Sequence, residues 1–595
     1  SSLWHAFGLT LLLLVLVVAP VLADTFTVNT TADYDDGSCD AGDCTLREAI
    51  IAANSSPGPD TIAFNIPDTD PGYNAATGVW RIQPSLTPVP LLPSLTDGQT
   101  TIDGTTQTAN QGDRNPAGPE VELNGARAGT SPGLVITSIS NTIRGLIINE
   151  FTLPGIVITG TQAQSNTVVG NFIGVDATGS AGVPNGAAGV LIYNASNNTV
   201  GGTGAGDRNL ISGNNQAYWN WFDDAAGVYI YGPNASGNRV IGNYIGTNIT
   251  GTAKVGNYNG VNIEGGAHHN FVGGSGDGEG NLLSGNEVCG VLISGAGTVS
   301  NTVQGNLIGA NASATLGLGN DSCGVFIEGE ANYNLIGGTE AGAGNVIVDH
   351  LDEGISLDAD YNRVQGNYIG LIPDGYPGIQ ASQSISMGNH RGGILIYGQH
   401  NLVGGLEAGA GNVIAFNGED GVLVQYPEAM GNSILHNSIY SNTMEGIHLD
   451  QGANGGIISP TIEFVSSRLI TGTSSCLGCT VEVFSDYGNE GRVFEGSTTT
   501  DPTTGIWELH WFGPSGGPRV TATVTDQDGN TSEFSAGHFN IADLDYDGDV
   551  DVDDIMIAVN LYRQPASPDF PDPDRDGDWD IVDIQIVCGQ FGWGM

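Results

Sequence analysis

"NTVVGNFIG", residues 166–174, returns as "NRVIGNYIG" at 238–246, "NTVQGNLIG" at 301–309 and "NRVQGNYIG" at 362–370. Each copy sets two short apolar runs around a Gly-Asn pair. A second motif, "NTVGG" at 198–202 with its relatives "NFVGG", "NLIGG" and "NLVGG", alternates with the first. Between them recurs a mark, Gly-(Val/Ile)-x-(Ile/Leu/Val), starting at Gly155, Gly189, Gly227, Gly260, Gly290, Gly324, Gly354, Gly393, Gly421 and Gly446. Helical periodicity is absent, and so are the hairpin signals that propeller blades need. Short β-branched strands broken by Asn and Gly at a fixed repeat are the signature of a solenoid. The repeat predicts a right-handed parallel β-helix over residues 120–460, each coil about 4.8 Å above the last. The first and third apolar residues of each mark should point inward. Asn and Gly at the corners tolerate left-handed backbone and can bond along the stack. Cys289 and Cys323 each precede a mark on consecutive coils. Equivalent positions lie about 5 Å apart, which predicts a disulfide between them.

Bulk composition agrees with a β-rich, turn-rich chain. Of 595 residues 92 are glycine, and only 13% are charged. Fifteen basic residues face 64 acidic ones, for a net charge of -49. That balance argues against nucleic acid or an anionic membrane as partner; it permits cation binding and equally suits the solubility of a secreted protein. Residues 1–23, with the apolar run "LTLLLLVLVVAPVLA", read as a secretory signal, too short to span a bilayer comfortably. No later segment is a transmembrane candidate. The expectation is a secreted, extracellular or cell-surface protein. The remaining cysteines then pair most simply as Cys39–Cys44 and Cys476–Cys479, with Cys588 left over.

Ahead of the coils, "GSCDAGDCTLREAIIAANSSPGPDTIAFNIP" (37–67) resembles the N-terminal module named for its Cys-Ser-Leu-Arg-Glu-Ala signature (CSLREA), found on secreted bacterial β-helix proteins. Thr45 stands here for the serine. Residues 24–119 are read as a capping region, with a short helix from Thr45 to Asn54 covering the open first rung. Past Pro460 the mark stops and apolar–polar alternation begins. Residues 461–540 read as a small antiparallel β-sandwich, a spacer or a carbohydrate-binding unit.

The C-terminal segment carries two copies of one acidic pattern, "DLDYDGDVDVDD" (543–554) and "DPDRDGDWDIVD" (572–583). Acids fall at positions 1, 3, 5, 9 and 12, and glycine at 6. This is calcium-loop spacing, in which alternate side chains and the position-7 carbonyl converge on one ion. The first site comprises Asp543, Asp545, Asp547, Asp549, Asp551 and Asp554. The second comprises Asp572, Asp574, Asp576, Asp578, Asp580 and Asp583. Each loop runs into an apolar segment that reads as an exiting helix. Residues 541–595 resemble a type I dockerin, a small α-helical domain. The resemblance implies two bound Ca²⁺ ions and a cohesin-like partner. The positions that usually meet a cohesin hold Val552-Asp553 and Ile581-Val582 and depart from the common Ser-Thr pair.

Chemistry must come from outward positions, because a solenoid of the pectate-lyase type hosts enzymes and inert surface proteins alike. The fourth residue after each mark gives an outward column that includes Tyr193, Tyr231, Glu264, Ser294, Glu328, Asp358, Tyr397, Gln425 and Asp450. Trp219, Trp221 and Tyr231 are candidate glycan contacts, since aromatic faces stack on sugar rings. Glu328 and Asp358, on adjacent rungs, are the candidate catalytic carboxylates, about 5 Å apart. Arg239 and Arg363 are the candidate bases for a lyase. Two readings follow. One is a secreted or surface glycan-binding, adhesin-like protein attached through a calcium-binding module. The other is a polysaccharide hydrolase or lyase carrying that module.

Overall fold

The computed structural model describes residues 23–591 apart from 86–90, 215–224, 375, 377–383, 467, 512–516, 541, 546–549, 566–572 and 574–578. Three long sheets run through the chain, two of thirteen strands and one of eleven. Successive coils send one strand to each, and apart from the antiparallel pair Tyr73–Asn74 with Val79–Ile82 the pairing is parallel. The fold is a parallel β-helix.

The glycine marks lie in one column on the third, eleven-stranded sheet. Registers run without a slip from Ile156 against Val190 to Val422 against Ile447. A further rung, Leu134–Ile136, pairs with Ile156–Ile158. Its Gly133 escaped the mark because leucine follows it. Strand alternation buries the first and third apolar residues, such as Val325 and Ile327, fully. The mark requires glycine because rungs meet closely there. A Cβ on Gly290 would sit 2.8 Å from the Gly324 carbonyl oxygen and 2.9 Å from Asn320 Nδ2. Cys289 and Cys323, one step earlier, form a disulfide with Cα atoms 4.7 Å apart. Cys39–Cys44 and Cys476–Cys479 are also joined, and Cys588 is free and exposed.

Three ladders of buried asparagine hold the corners. In one, Asn171, Asn209, Asn243, Asn281 and Asn306 each pass an amide N–H to the next oxygen at 2.9–3.1 Å. The same amides reach backbone carbonyls of the preceding coil, as Asn243 Nδ2 does to Val200. A short amide can donate and accept across one rung, so the turn's polar groups are satisfied without water. A second ladder runs from Asn141 and a third from Asn185. The third is interrupted by His350, which is fully buried where asparagine belongs and accepts from Asn320 N.

Burial holds the His350 imidazole neutral by lowering its pKa to about 3. A folded pKa below the unfolded value of about 6.5 means that the folded state binds fewer protons below that pH. Stability then falls as acid is added from pH 6.5 toward 3, by about 2 kcal/mol at pH 5. His350→Asn is expected to remove this acid sensitivity and raise the melting temperature at pH 5 more than at pH 8. Calorimetry at the two pH values checks it; equal shifts at both would contradict it.

Both ends are closed. The parallel ladder begins well before residue 120, where Thr25–Val28 pairs with Asp60–Phe64. Helix α1 (Leu46–Ala53) buries Leu46, Ala49, Ile50 and Ala53 in the solenoid's core. Thr45 caps it, and Glu48 returns the bond to Thr45 N. The buried Arg47 pairs with Asp33 at 2.8 Å and donates to the Leu91 carbonyl. A second helix, α2 (Thr105–Gln111), lies beside Asp60–Phe64, and Gln107 bonds both ways to the Ile66 backbone.

At the other end stand two three-stranded antiparallel sheets, 461–465 with 469–473 and 506–510, and 493–499 with 480–486 and 519–525. This sandwich is placed as a cap. Its side chains accept from backbone N–H groups of the last coil that no further rung could take. Gly431 donates to Asn530 (2.6 Å), Ile434 to Thr531 (3.0 Å), His436 to Glu482 (3.1 Å), Asn442 to Glu490 (3.1 Å) and Leu449 to Glu533 (2.9 Å). An open strand edge is thereby covered. Burial pushes the Glu482 and Glu490 carboxyls up to about 7. Helices α3 (Val552–Leu561) and α4 (Ile581–Gly589) follow. Their Ala558 and Val587, with Trp579, extend the sandwich's apolar cluster of Val481, Trp507 and Val524.

Candidate functional site

The outward face of the third sheet is set by the two-residue alternation of its strands. Tyr193, Tyr231, Glu264, Ser294, Glu328 and Asp358 follow one another in register, as the mark requires. Tyr193 and Tyr231 stack with ring centres 5.8 Å apart. Tyr229, two residues before Tyr231, donates its hydroxyl to Glu264 at 2.7 Å. Further along, Tyr397 stacks on Tyr426 at 5.5 Å. The column is therefore a strip of tyrosine and carboxylate. Trp219 and Trp221 lie outside the described residues.

Electrostatics single out one stretch of the strip. Burial, and after it Asp360, raises the Asp358 carboxyl above the usual range. Burial also raises Glu353, on the turn just before the same strand, against the opposing pull of Arg391 at 3.8 Å. The Tyr397 hydroxyl is pushed up by burial first, then by Tyr426, Glu353 and Asp358. Asp358 thus shares a neighbourhood with Tyr397 and Glu353, while Glu328 occupies the adjacent rung. Glu353 was legible only as a loop acid; its burial depends on the coils stacked around it. Arg239 and Arg363 are strand residues of the first sheet, away from this face, and Arg239 is paired with Glu279 at 2.6 Å.

Two features have no counterpart in the sequence reading. Tyr333, Tyr361 and His400 stack in a row, 5.1 and 5.0 Å apart, on a corner of the solenoid. Each holds positive φ, 55° to 61°, immediately before a ladder asparagine. That position is a hidden column, visible only once the ladder is aligned. The other feature is a cluster of Glu445, His448 and Glu533 where the last coil meets the sandwich. Burial, then Glu533, raises the Glu445 carboxyl.

In the acidic segment, Asp543, Asp545 and Asp554 bring carboxylate oxygens within 4.8 Å of one another. These are positions 1, 3 and 12 of the first loop. Asp551 caps α3 and Asp554 closes the capping box; Asp580 and Asp583 repeat this on α4. Asp547, Asp549, Asp572, Asp574, Asp576 and Asp578 lie outside the described residues. A set of converging carboxylate oxygens on a loop that opens a helix fits a hard cation such as calcium. Among the described residues no helix is long and apolar enough to cross a membrane.

No family model matches the chain, and no curated protein does. Among solved structures, a mutant tailspike protein of E. coli bacteriophage HK620 aligns at 13% identity over 84% of this chain and 92% of its own, with a TM-score of 0.31. ORF18 of Geobacillus virus E2 aligns at 10% identity over 87% of this chain and 76% of its own, with a TM-score of 0.25.

Proposed function

We propose that the chain is an extracellular polysaccharide-binding β-helix, held to a surface or assembly through a calcium-loaded C-terminal module. The observation that carries the reading is the outward strip of Tyr193, Tyr231, Glu264, Asp358 and Tyr397 on one sheet face. Tyrosine rings offer apolar faces to sugar rings, and carboxylates accept from sugar hydroxyls. The net charge of -49 disfavours polyuronates, so the substrate class is a neutral polysaccharide. Three disulfides support an oxidising compartment. The coil is read as right-handed, the hand strongly preferred for parallel crossovers. The acidic segment is read as a dockerin-like module for two calcium ions and a cohesin-like partner.

A panel of neutral and acidic polysaccharides in affinity electrophoresis tests this. The full chain should be retarded by a neutral member, and Tyr231→Ala or Tyr397→Ala should weaken that binding about tenfold. Retardation by none, or by polyuronates alone, would overturn it.

A hydrolase is favoured by one observation: Glu353 and Asp358 both hold raised pKa values beside Tyr397. A carboxyl that holds its proton more tightly than usual can donate to a glycosidic oxygen while a second carboxylate supports attack. New reducing ends from the retarding polysaccharide, lost in Glu353→Gln or Asp358→Asn, would establish it. Glu328→Gln tests the adjacent-rung pair in the same assay.

A further inference from the structure

We infer that Glu445, His448 and Glu533 form a site for one divalent transition-metal ion of the zinc type, which clasps the sandwich to the end of the solenoid. Glu445 and His448 sit three residues apart, on the last turn and in the final strand Ile447–Leu449 that follows it, while Glu533 comes from the sandwich. Each offers a ligand atom, and these atoms lie within 4.8 Å of one another. His448 Nδ1 stands 3.8 Å from Glu445 Oε2 and 3.4 Å from Asp420 Oδ2. A tetrahedron on zinc bonds of about 2.0–2.2 Å has edges of about 3.3–3.6 Å, so small side-chain shifts close the shell.

The surroundings support a cation. Asp420 is 4% exposed, and its other oxygen accepts from Glu445 N at 2.9 Å, which fixes the turn that carries Glu445. Glu533 is tethered by Leu449 N at 2.9 Å. Among the described residues no arginine or lysine pairs with Asp420, Glu445 or Glu533, so one imidazole faces three carboxylates. A nitrogen donor among oxygens selects a transition ion over calcium, which takes oxygen ligands. A cavity of about 410 Å³, lined in part by Glu445, Glu490 and Glu533, adjoins the cluster and leaves room for a water ligand. The ion would bind residues of the last coil and the cap at once, so it should stabilise their docking by mass action.

The test uses the full chain in a Cys588→Ser background, because that exposed thiol could itself take zinc. Metal is stripped with chelator, calcium is restored in excess to occupy the acidic loops, and zinc is added in a calorimeter. One equivalent is expected to bind and to raise the melting temperature, and cobalt(II) should show four-coordinate visible absorption. His448→Ala and Glu533→Gln should each weaken zinc binding roughly a hundredfold. Glu330→Gln, on an exposed turn, should not change it. Circular dichroism confirms that each variant is folded; His448 is 39% exposed, so its truncation leaves the core intact. Equal zinc affinity in wild type and both variants, or no zinc bound by wild type at sub-millimolar concentration, would overturn the site.

Discussion

Asn243→Ala is expected to destabilise the solenoid by on the order of 4 kcal/mol, although it removes only one small side chain. The amide of Asn243 donates to the carbonyls of Val200 and Ile241 and to Asn281 Oδ1. Its oxygen accepts from the backbone and side-chain N–H of Asn209. Alanine would strand several polar groups where no water reaches, each costing about 1–3 kcal/mol if unrelieved. The effect should be local, because each coil touches mainly its neighbours. Amide exchange should quicken in the strands at 199–201, 239–241 and 271–273 and much less in α1. Leu406→Ala, at a side chain 70% exposed, should change little. Equal stability for the two variants would show that the ladder is incidental.

Chelation of calcium should release the C-terminal helices while the solenoid stays folded. Asp543, Asp545 and Asp554 are gathered within 4.8 Å, and Asp543 and Asp554 are at most 1% exposed. Like charges so placed repel unless a cation draws them together. Without it, the loops cannot hold the starts of α3 and α4, and Trp579 and Val587 lose their fixed place against the sandwich. Hydrogen exchange across 552–561 and 581–589 should therefore rise by orders of magnitude in chelator, with the strands at 291–294 and 325–328 unchanged. Asp543→Ala with Asp545→Ala should reproduce the first part of that loss in calcium. Protection of both helices that is indifferent to calcium would remove the cation from the account.

The repeat was legible because one physical constraint recurs at every coil. Glycine is needed where Gly290 meets the Gly324 carbonyl, and apolar residues are needed where Val291 and Ile293 point inward. Those demands write the mark, and the mark in turn placed Cys289 beside Cys323. Where the demand is met differently the signal fades. Thr25–Val28 opens the ladder on the first sheet, whose strands carry no mark, and Gly133 is followed by leucine. His350 does an asparagine's work without resembling one. The capping role of the sandwich was hidden for another reason: Asn530, Thr531 and Glu490 meet the last coil across 48 to 99 residues of sequence. The outward strip followed from alternation alone. The raised carboxyl of Glu353 did not, because burial of a turn residue is set by the rungs above and below it.

The most direct measurement of the proposed function is hydroxyl-radical footprinting of the full chain with and without the polysaccharide that retards it. Binding along the third sheet predicts protection of Tyr193, Tyr231, Tyr397 and Tyr426, with Tyr333 and Tyr361 on their separate corner oxidised as before. Protection confined to Tyr333 and Tyr361, or no protection of any tyrosine at saturating polysaccharide, would contradict it.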